Sequence, residues 1–235
     1  MDFNMMLIIR IMSLCLMVGA IFFGATANSN GLTEKEMERW LESDDMDPPG
    51  VSSMDVNNGE LYFLNKKPSK PVHHHRNALT IYKNSLTDGW VKLEQCHRNM
   101  DRFPRVQVMF NKKRVRDIKI TQADAIDKSW VEGNTVQLEN VKDNAVLCIE
   151  AWSKALIRND DGSFQLSNGP FMRKFLDGYY PIHVTIDVNY KATNLELVLV
   201  EPIAQDGFKV TQTSKSINME AWFEGRLKTN LTFIN

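Results

Sequence analysis

From residue 61 onward, apolar and polar residues alternate along most of the chain with a period of two. This period places apolar side chains on one face of a strand and polar side chains on the other. Turn sequences such as Asp88-Gly89 and Asp160-Asp161-Gly162 separate the alternating runs. The pattern predicts twelve strands, at residues 61–64, 73–82, 90–98, 105–110, 115–121, 135–141, 145–157, 163–167, 183–190, 195–200, 208–218 and 220–233.

Two segments between the predicted strands carry helix signals. Thr121 and Asp124 have capping spacing at the start of residues 121–129. Pro170 suits the first turn of a helix over residues 170–177, and Gly178 suits its C-terminal cap. Many short strands with regular turns are typical of a sandwich or an open barrel. We therefore predict a mainly β, antiparallel sandwich-like fold with two or three short helices.

The first 27 residues have the features of a cleavable secretory signal peptide. Thirteen uncharged residues, 11–23, follow Arg10. This apolar run is short for a membrane-spanning helix, which needs about 20 residues. The A-x-A pattern Ala25-Thr26-Ala27 predicts cleavage after Ala27. An uncleaved N-terminal anchor is one alternative, and a lipoprotein that uses Cys15 is another, although the residues before Cys15 match such a signal poorly.

Cleavage after Ala27 predicts a periplasmic or secreted protein with no transmembrane segment in the mature chain. The mature chain divides into an acidic segment, residues 28–60, and a β domain, residues 61–235. The acidic segment has a net charge of −7 and contains a predicted helix at residues 33–43. Residues 61–120 have a net charge of +10, and residues 121–235 have a net charge of −4. The acidic segment either folds over the basic region or leaves it open to an anionic partner.

Cysteine usage agrees with export. Removal of the signal peptide takes away Cys15 and leaves Cys96 and Cys148 as an even pair. In an oxidising compartment such a pair predicts a disulfide bond. A redox-active or metal-binding pair is the rival interpretation, but the sequence has no C-x-x-C spacing.

The histidines at residues 73–75 are the most distinctive local motif. If residues 73–82 pair with residues 90–98 as an antiparallel hairpin, His73 and His75 meet His97 at one end of one face. Three convergent imidazoles bind zinc or copper in many proteins, and Met100 would add a soft ligand for copper. The alternatives are a hydrogen-bonded polar strand end and a pH sensor. His183 has the opposite parity from its apolar neighbours, which predicts that it points away from the core.

A basic surface is predicted around the turns on either side of residues 105–110. In an exported protein, its candidate partners are lipid headgroups, envelope polysaccharide or an acidic protein. Nucleic acid is not expected, because of the location and because no basic motif is interleaved with aromatic residues. The alternative, which involves no binding partner, is a hairpin tip kept soluble by its charges. The residues of this predicted surface are Arg98, Arg102, Arg105, Lys112, Lys113, Arg114 and Arg116.

The sequence contains no nucleophile elbow, phosphate-binding loop, H-E-x-x-H motif or dinucleotide-binding glycine pattern. The leading hypothesis is an exported, non-catalytic, β-sandwich-like protein that binds an envelope component or protein partner. The runner-up is a periplasmic copper- or zinc-binding protein that uses the histidine cluster. A third hypothesis is a hydrolase whose site is not visible in the sequence.

Overall fold

The structure is a computed structural model that describes residues 59–175 and 178–235. The fold is mainly β and contains several antiparallel sheets, none of which is closed. Within the described ranges, the one α-helix is the single turn Ser85–Asp88, and no helix there has the length and apolar character needed to cross a membrane. The strands are β1 (Tyr62–Phe63), β2 (His74–Thr80), β3 (Trp90–Met100), β4 (Phe103–Met109), β5 (Val115–Glu132), β6 (Thr135–Lys154), β7 (Leu156–Arg158), β8 (Phe164–Phe171), β9 (Lys174–Phe175), β10 (Gly178–Tyr179), β11 (Ile182–Asn189), β12 (Glu196–Glu201), β13 (Phe208–Gln212), β14 (Ser216–Glu224) and β15 (Leu227–Ile234).

Most of the strands belong to one nine-stranded sheet. Its main path runs β1-β14-β11-β2-β3-β6-β4, with β13 beside β14 and β5 beside β6. A four-stranded sheet has the order β12-β15-β8-β7, and β9 pairs with β10 in a small hairpin. Among the described pairs, β11 and β2 run parallel and the others run antiparallel. The predicted hairpin of β2 and β3 is confirmed.

Strand β6 bends back on itself. Met109 pairs with Thr135 near the start of β6, whereas Val115 pairs with Ser153 near its end. The chain from Met109 to Val115 can span at most roughly 22 Å. A straight strand from Thr135 to Ser153 would extend roughly 60 Å. The part of β6 that pairs with β4 ends at Val141, and the part that pairs with β3 begins at Ala145. Asn144 lies between these parts with a φ of 60°, and Asn140, with a φ of 52°, lies just before the end of the first, so the bend falls there.

The two large sheets share one hydrophobic core. Leu79 and Ile186 of the nine-stranded sheet belong to the same buried cluster as Leu166 and Phe233 of the four-stranded sheet. Period-two alternation produces this arrangement, since strands such as β11 and β15 bury every second residue. The core therefore lies where the sequence pattern directed the apolar side chains.

The predicted disulfide is confirmed. Cys96 of β3 and Cys148 of β6 are direct partners in the strand register, and their Cα atoms lie 4.1 Å apart. Because Cys96 alternates with Gln95 and His97, its side chain points to the opposite face of the sheet from theirs.

Two of the predicted helices are wrong. Residues 121–129 lie inside β5, which is paired with β6. Register shifts at three places in β5 insert extra residues, so its partly buried positions recur about every third residue. Such β-bulges make a strand resemble a helix in sequence.

Residues 170–175 are also not helical. Pro170 and Phe171 end β8, and the chain continues into the hairpin of β9 and β10. The proline and glycine that suggested helix ends therefore flank a hairpin. Residues 176 and 177, the predicted helix at residues 33–43 and the predicted signal peptide lie outside the described residues.

Candidate functional site

A square of four polar side chains interrupts the apolar inner face of the nine-stranded sheet. His75 of β2 lies opposite His97 of β3, and Asn77 lies opposite Gln95 in the same register. Asn77, Gln95 and His97 are buried. The apolar residues Val184 and Leu147 flank His75 and His97 in the same row. We call these four residues the polar square.

Hydrogen bonds tie the polar square to His73. Nε2 of His73 lies 3.0 Å from Nδ1 of His97, and Nε2 of His97 lies 2.7 Å from the amide nitrogen of Gln95. The ring centroids of His73 and His75 lie 5.2 and 4.4 Å from that of His97. The predicted meeting of the three imidazoles is therefore confirmed.

The polar square also reaches the four-stranded sheet. Nε2 of His75 donates to Oδ1 of Asn77 at 2.9 Å, and Nδ2 of Asn77 donates to Oδ1 of Asn168 at 3.1 Å. Asn168 is the register partner of Thr229. Nδ2 of Asn168 and Oγ1 of Thr229 are buried and have no hydrogen-bond partner. Buried polar atoms without partners are costly, so this side of the network is incomplete.

An ion pair stands beside the histidines. Nε and Nη2 of Arg173 donate to the two carboxylate oxygens of Asp101 at 3.1 and 2.7 Å. The ring of Phe171 contacts His75 edge-on, with ring centroids 4.9 Å apart. Phe171 at the end of β8 therefore places an aromatic ring against His75, and Arg173 just after it forms a bidentate ion pair with Asp101.

Burial keeps the three imidazoles neutral near pH 7, because it disfavours the charged form. It lowers the pKa of His73 from 6.5 to about 4, with Asp101 opposing and Arg173 adding to this effect. Burial lowers the pKa of His75 to about 3, and the neighbouring His73 adds to the shift. Burial, followed by the adjacent His75, lowers the pKa of His97 well below 6.5.

The predicted metal ligands thus come together. Most of their ring nitrogens, however, form hydrogen bonds with one another or with the side-chain amides of Asn77 and Gln95. In the part of the chain that the structure describes, no group of three or more His, Cys, Asp or Glu side chains is arranged to hold a metal ion.

Two other histidines stack on the outer face of the sheet. The rings of His74 and His183 are 3.9 Å apart, and His183 lies 3.9 Å from the ring of Trp222. His74 also bonds Thr185, and His183 bonds Glu220. His183 therefore points away from the core, as its parity predicted.

The structure places all seven residues of the predicted basic surface in solvent, in two groups. The guanidinium of Arg116 lies 4.2 Å from the centre of the Trp90 ring, at the start of β3. Arg98 lies eight residues after Trp90 in β3, a distance of roughly 27 Å along an extended strand. Arg102 and Arg105 follow Arg98 in the chain, whereas Lys112, Lys113 and Arg114 precede Arg116.

From the group that contains Arg116, Arg114 borders a cavity of about 370 Å³. Arg114, Lys154 and Arg158 line it together with one carboxylate, that of Asp88. We call it the basic cavity. Its apolar wall contains Leu86, Leu156, Ile157 and Phe164.

Backbone hydrogen bonds hold the walls of the basic cavity together. The amide of Lys154 donates to the carbonyl of Arg114 at 2.7 Å, and the amide of Leu156 donates to the carbonyl of Gly89 at 3.1 Å. Gly89 has a φ of 76°, and a Cβ atom there would lie 2.7 Å from the carbonyl oxygen of Leu156. The approach of these two segments therefore requires glycine.

We expect Gly89→Ala to destabilise the protein more than Gly162→Ala. Both glycines have positive φ angles, 76° and 85°, but a Cβ atom at Gly162 meets nothing within 4 Å. Each alanine costs about 1–2 kcal/mol in the left-handed conformation. The clash adds about 1–3 kcal/mol at Gly89 alone. Urea denaturation measures the difference, and equal losses for the two variants would contradict the close approach.

Sequence reasoning missed Lys154, the last residue of β6, and Arg158, the last residue of β7, whereas Arg114 directly precedes β5. It also missed Asn168, Thr229 and the ion pair of Asp101 with Arg173. A usable signal for the polar square was present, because polar residues occupy core-parity positions two apart in both β2 and β3. No comparable local signal marks the residues that other strands bring to the site.

No protein-family model matches the chain. A search of curated proteins also finds no match. The polar square and the basic cavity are therefore the features of the chain that bear on its function.

Proposed function

We propose that this is an exported, non-catalytic, β-sandwich-like protein that binds an anionic envelope component or protein partner at the basic cavity. The observation that carries the proposal is the position of Arg114, Lys154 and Arg158 around one cavity. Against the single carboxylate of Asp88, these side chains give the lining an excess of two positive charges.

The chemistry of the lining favours a phosphate or carboxylate group on an apolar body. Guanidinium groups bind both anions through paired hydrogen bonds, and lysine adds a point charge. Leu86 and Leu156 offer apolar surface beside these cations. A concave site with charged groups of one sign also raises the local concentration of ligands of the opposite sign.

Export is supported by the signal-peptide pattern of residues 1–27 and by the Cys96–Cys148 disulfide. Disulfide bonds persist in the periplasm and outside the cell, whereas cytosolic thiols are kept reduced. The sandwich-like architecture is supported by the hydrophobic core that the nine-stranded and four-stranded sheets share.

We expect the double variant Arg114→Glu/Arg158→Glu to lose at least ~tenfold in affinity for phosphatidylglycerol vesicles, since each anionic contact contributes about 1 kcal/mol or more. The measurement is vesicle co-sedimentation, with phosphatidylcholine vesicles as the uncharged reference. Added salt should weaken binding by the wild-type protein, because it screens exposed charges. Inorganic phosphate, tested as a competitor, separates recognition of the headgroup from recognition of the membrane surface.

The matched control is Lys191→Glu/Lys228→Glu, which makes the same change in net charge at two exposed lysines outside the cavity lining. We expect this control to bind at least several-fold more tightly than the cavity variant. Equal losses would show that net charge alone governs binding and would contradict the basic cavity as the site. If the wild type binds neither phosphatidylglycerol vesicles nor inorganic phosphate, neither of them is the ligand of the basic cavity. Acidic proteins are then the partners to test.

A further inference from the structure

We infer that the ligand of the basic cavity is an extended acidic segment of a partner protein, which pairs with the outer edge of strand β7. This inference rests on the function proposed above and names the class of partner that the cavity would bind. Extended peptides bind many proteins by adding a strand to the exposed edge of a sheet. At the basic cavity, such an edge lies beside a group of cations.

Strand β7 has an edge that no other strand covers among the described residues, since it is the last strand of the four-stranded sheet. In an antiparallel pair, successive residues point their N–H and C=O groups alternately toward the partner strand and away from it. The amide of Leu156 donates to Gly89, away from β8, whereas the amide of Asn159 donates to Ser163, which directly precedes β8. The backbone groups of Arg158 therefore point away from β8, and no described backbone group bonds them there.

The chain at Gly89 already occupies the first place along this edge, where its carbonyl accepts from the amide of Leu156 at 3.1 Å. The next place along the edge lies beside Arg158, which is exposed. A peptide strand there would lie about 4.7–4.9 Å from β7 and would form the two hydrogen bonds that the backbone of Arg158 offers. It would lie in the basic cavity, because Gly89 and all of β7 line that cavity.

The cations of the basic cavity have no anionic partners within the described part of the chain. No ion pair there involves Arg114, Lys154 or Arg158. The carboxylate of the lining, that of Asp88, already accepts the amide of Trp90 at 3.0 Å. The carboxylates of a bound peptide would therefore meet these cations without displacing an existing ion pair. Guanidinium groups bind carboxylates through paired hydrogen bonds, which favours acidic side chains on the peptide.

The two faces of β7 predict the side-chain pattern of the peptide. Arg158 shares a face with the buried Leu156, and its guanidinium lies 6.0 Å from the centre of the Phe164 ring. Ile157 points to the opposite face and is 44% exposed. A strand beside β7 would therefore place acidic side chains toward Arg158 and apolar side chains toward Ile157. The partner segment should alternate between acidic and apolar residues.

The probe for the test is a short capped peptide in which valine and glutamate alternate, added to the purified mature protein. Two matched peptides separate the two kinds of contact. In one, glutamine replaces glutamate, which removes the charges and keeps the backbone. In the other, all backbone nitrogens are methylated, which removes the N–H donors and keeps the charges. We expect each change to weaken binding at least ~tenfold in isothermal titration calorimetry.

Amide hydrogen exchange, measured by NMR, locates the peptide on the protein. Bound peptide should slow exchange of the Arg158 amide at least ~tenfold, because that N–H group gains a hydrogen bond. The amide of Ile157 is the matched control within the chain, since it already points toward β8 and should change little. The double variant Arg114→Glu/Arg158→Glu should lose the peptide, whereas Lys191→Glu/Lys228→Glu should retain it.

The outcomes distinguish this inference from the proposed function. If phosphatidylglycerol vesicles bind at the basic cavity and the peptide does not, the inference is overturned and the proposed function stands. The same conclusion follows if the methylated peptide binds as tightly as the unmodified one, or if bound peptide leaves the exchange of the Arg158 amide unchanged. If the vesicles, inorganic phosphate and the peptide all fail to bind, both the inference and the proposed function are contradicted.

Discussion

Acidification of the protein from pH 7.5 to pH 5 should remove roughly 4 kcal/mol of its free energy of unfolding through His73 and His75 alone. The three imidazoles at the polar square are neutral in the folded state, and their pKa values lie well below 6.5. The unfolded chain, with pKa values near 6.5, therefore binds more protons than the folded chain as pH falls below 6.5. Stability is then fully present above pH 6.5 and is lost as pH falls toward 4.

The expected size follows from the pKa shifts. For a group whose pKa falls from 6.5 to about 4 on folding, the loss at pH 5 is about 2 kcal/mol. His73 and His75 together give roughly 4 kcal/mol, and the lowered pKa of His97 adds a loss in the same direction. This loss is a large part of the stability of many domains, about 5–15 kcal/mol. The protein should therefore be much less stable in mild acid.

Urea denaturation at a series of pH values measures this dependence. The window from pH 6.5 to 5.5 is the informative one, because ordinary carboxylates remain ionised there. In this window the double variant His75→Asn/His97→Gln should reduce the slope by about 1.5 protons, or about 2 kcal/mol per pH unit. If the variant fails to fold, histidine ring signals in NMR spectra of the wild type serve instead. A flat stability profile in this window, or titration of the three rings near pH 6.5, would contradict their neutral burial.

Removal of the Cys96–Cys148 disulfide should destabilise the protein by about 4 kcal/mol in the chain-entropy model. The bond joins residues 52 apart in sequence, so it restricts a long loop in the unfolded chain. In the folded chain the two residues are already register partners on β3 and β6. The stabilisation therefore arises mainly from the unfolded state, and the fold itself should persist without the bond.

The double variant Cys96→Ala/Cys148→Ala tests this expectation. Its urea midpoint should fall, while its circular dichroism spectrum in the absence of denaturant should match that of the wild type. Titration of thiols in the denatured wild-type mature protein provides the control and should find no free thiol. Two free thiols, or an unchanged midpoint in the variant, would show that the bond is absent or that it leaves the unfolded chain unrestricted.

The polar square shows how far local reasoning extends. Alternation placed His75 and Asn77 on one face of β2, and it placed Gln95 and His97 on one face of β3. The index sum that pairs Ile81 with Val91 also pairs His75 with His97, and the structure has this register. These features were predictable because the two strands form a local hairpin without a bulge between residues 74 and 97.

Strand β5 shows where that reasoning fails. Its bulges displace the alternation, and the resulting pattern resembled a helix over residues 121–129. A bulge depends on how a strand fits its partner and on the curvature of the whole sheet. The periodicity of a single strand gives no information about its fit to a partner strand or about the curvature of the sheet.

The sequence by itself determined the β class, the inward parity of the three clustered histidines, the disulfide pair and the exposed positions of the basic residues. Each depends on backbone geometry within one or two neighbouring segments, or on the number of cysteines. The tertiary structure alone decided that β6 folds back, that Lys154 and Arg158 join Arg114, and that Asn168 closes on Asn77. These contacts join residues from separate strands, so they follow from the bend of a long strand and the packing of two sheets. Local residue preferences do not specify either.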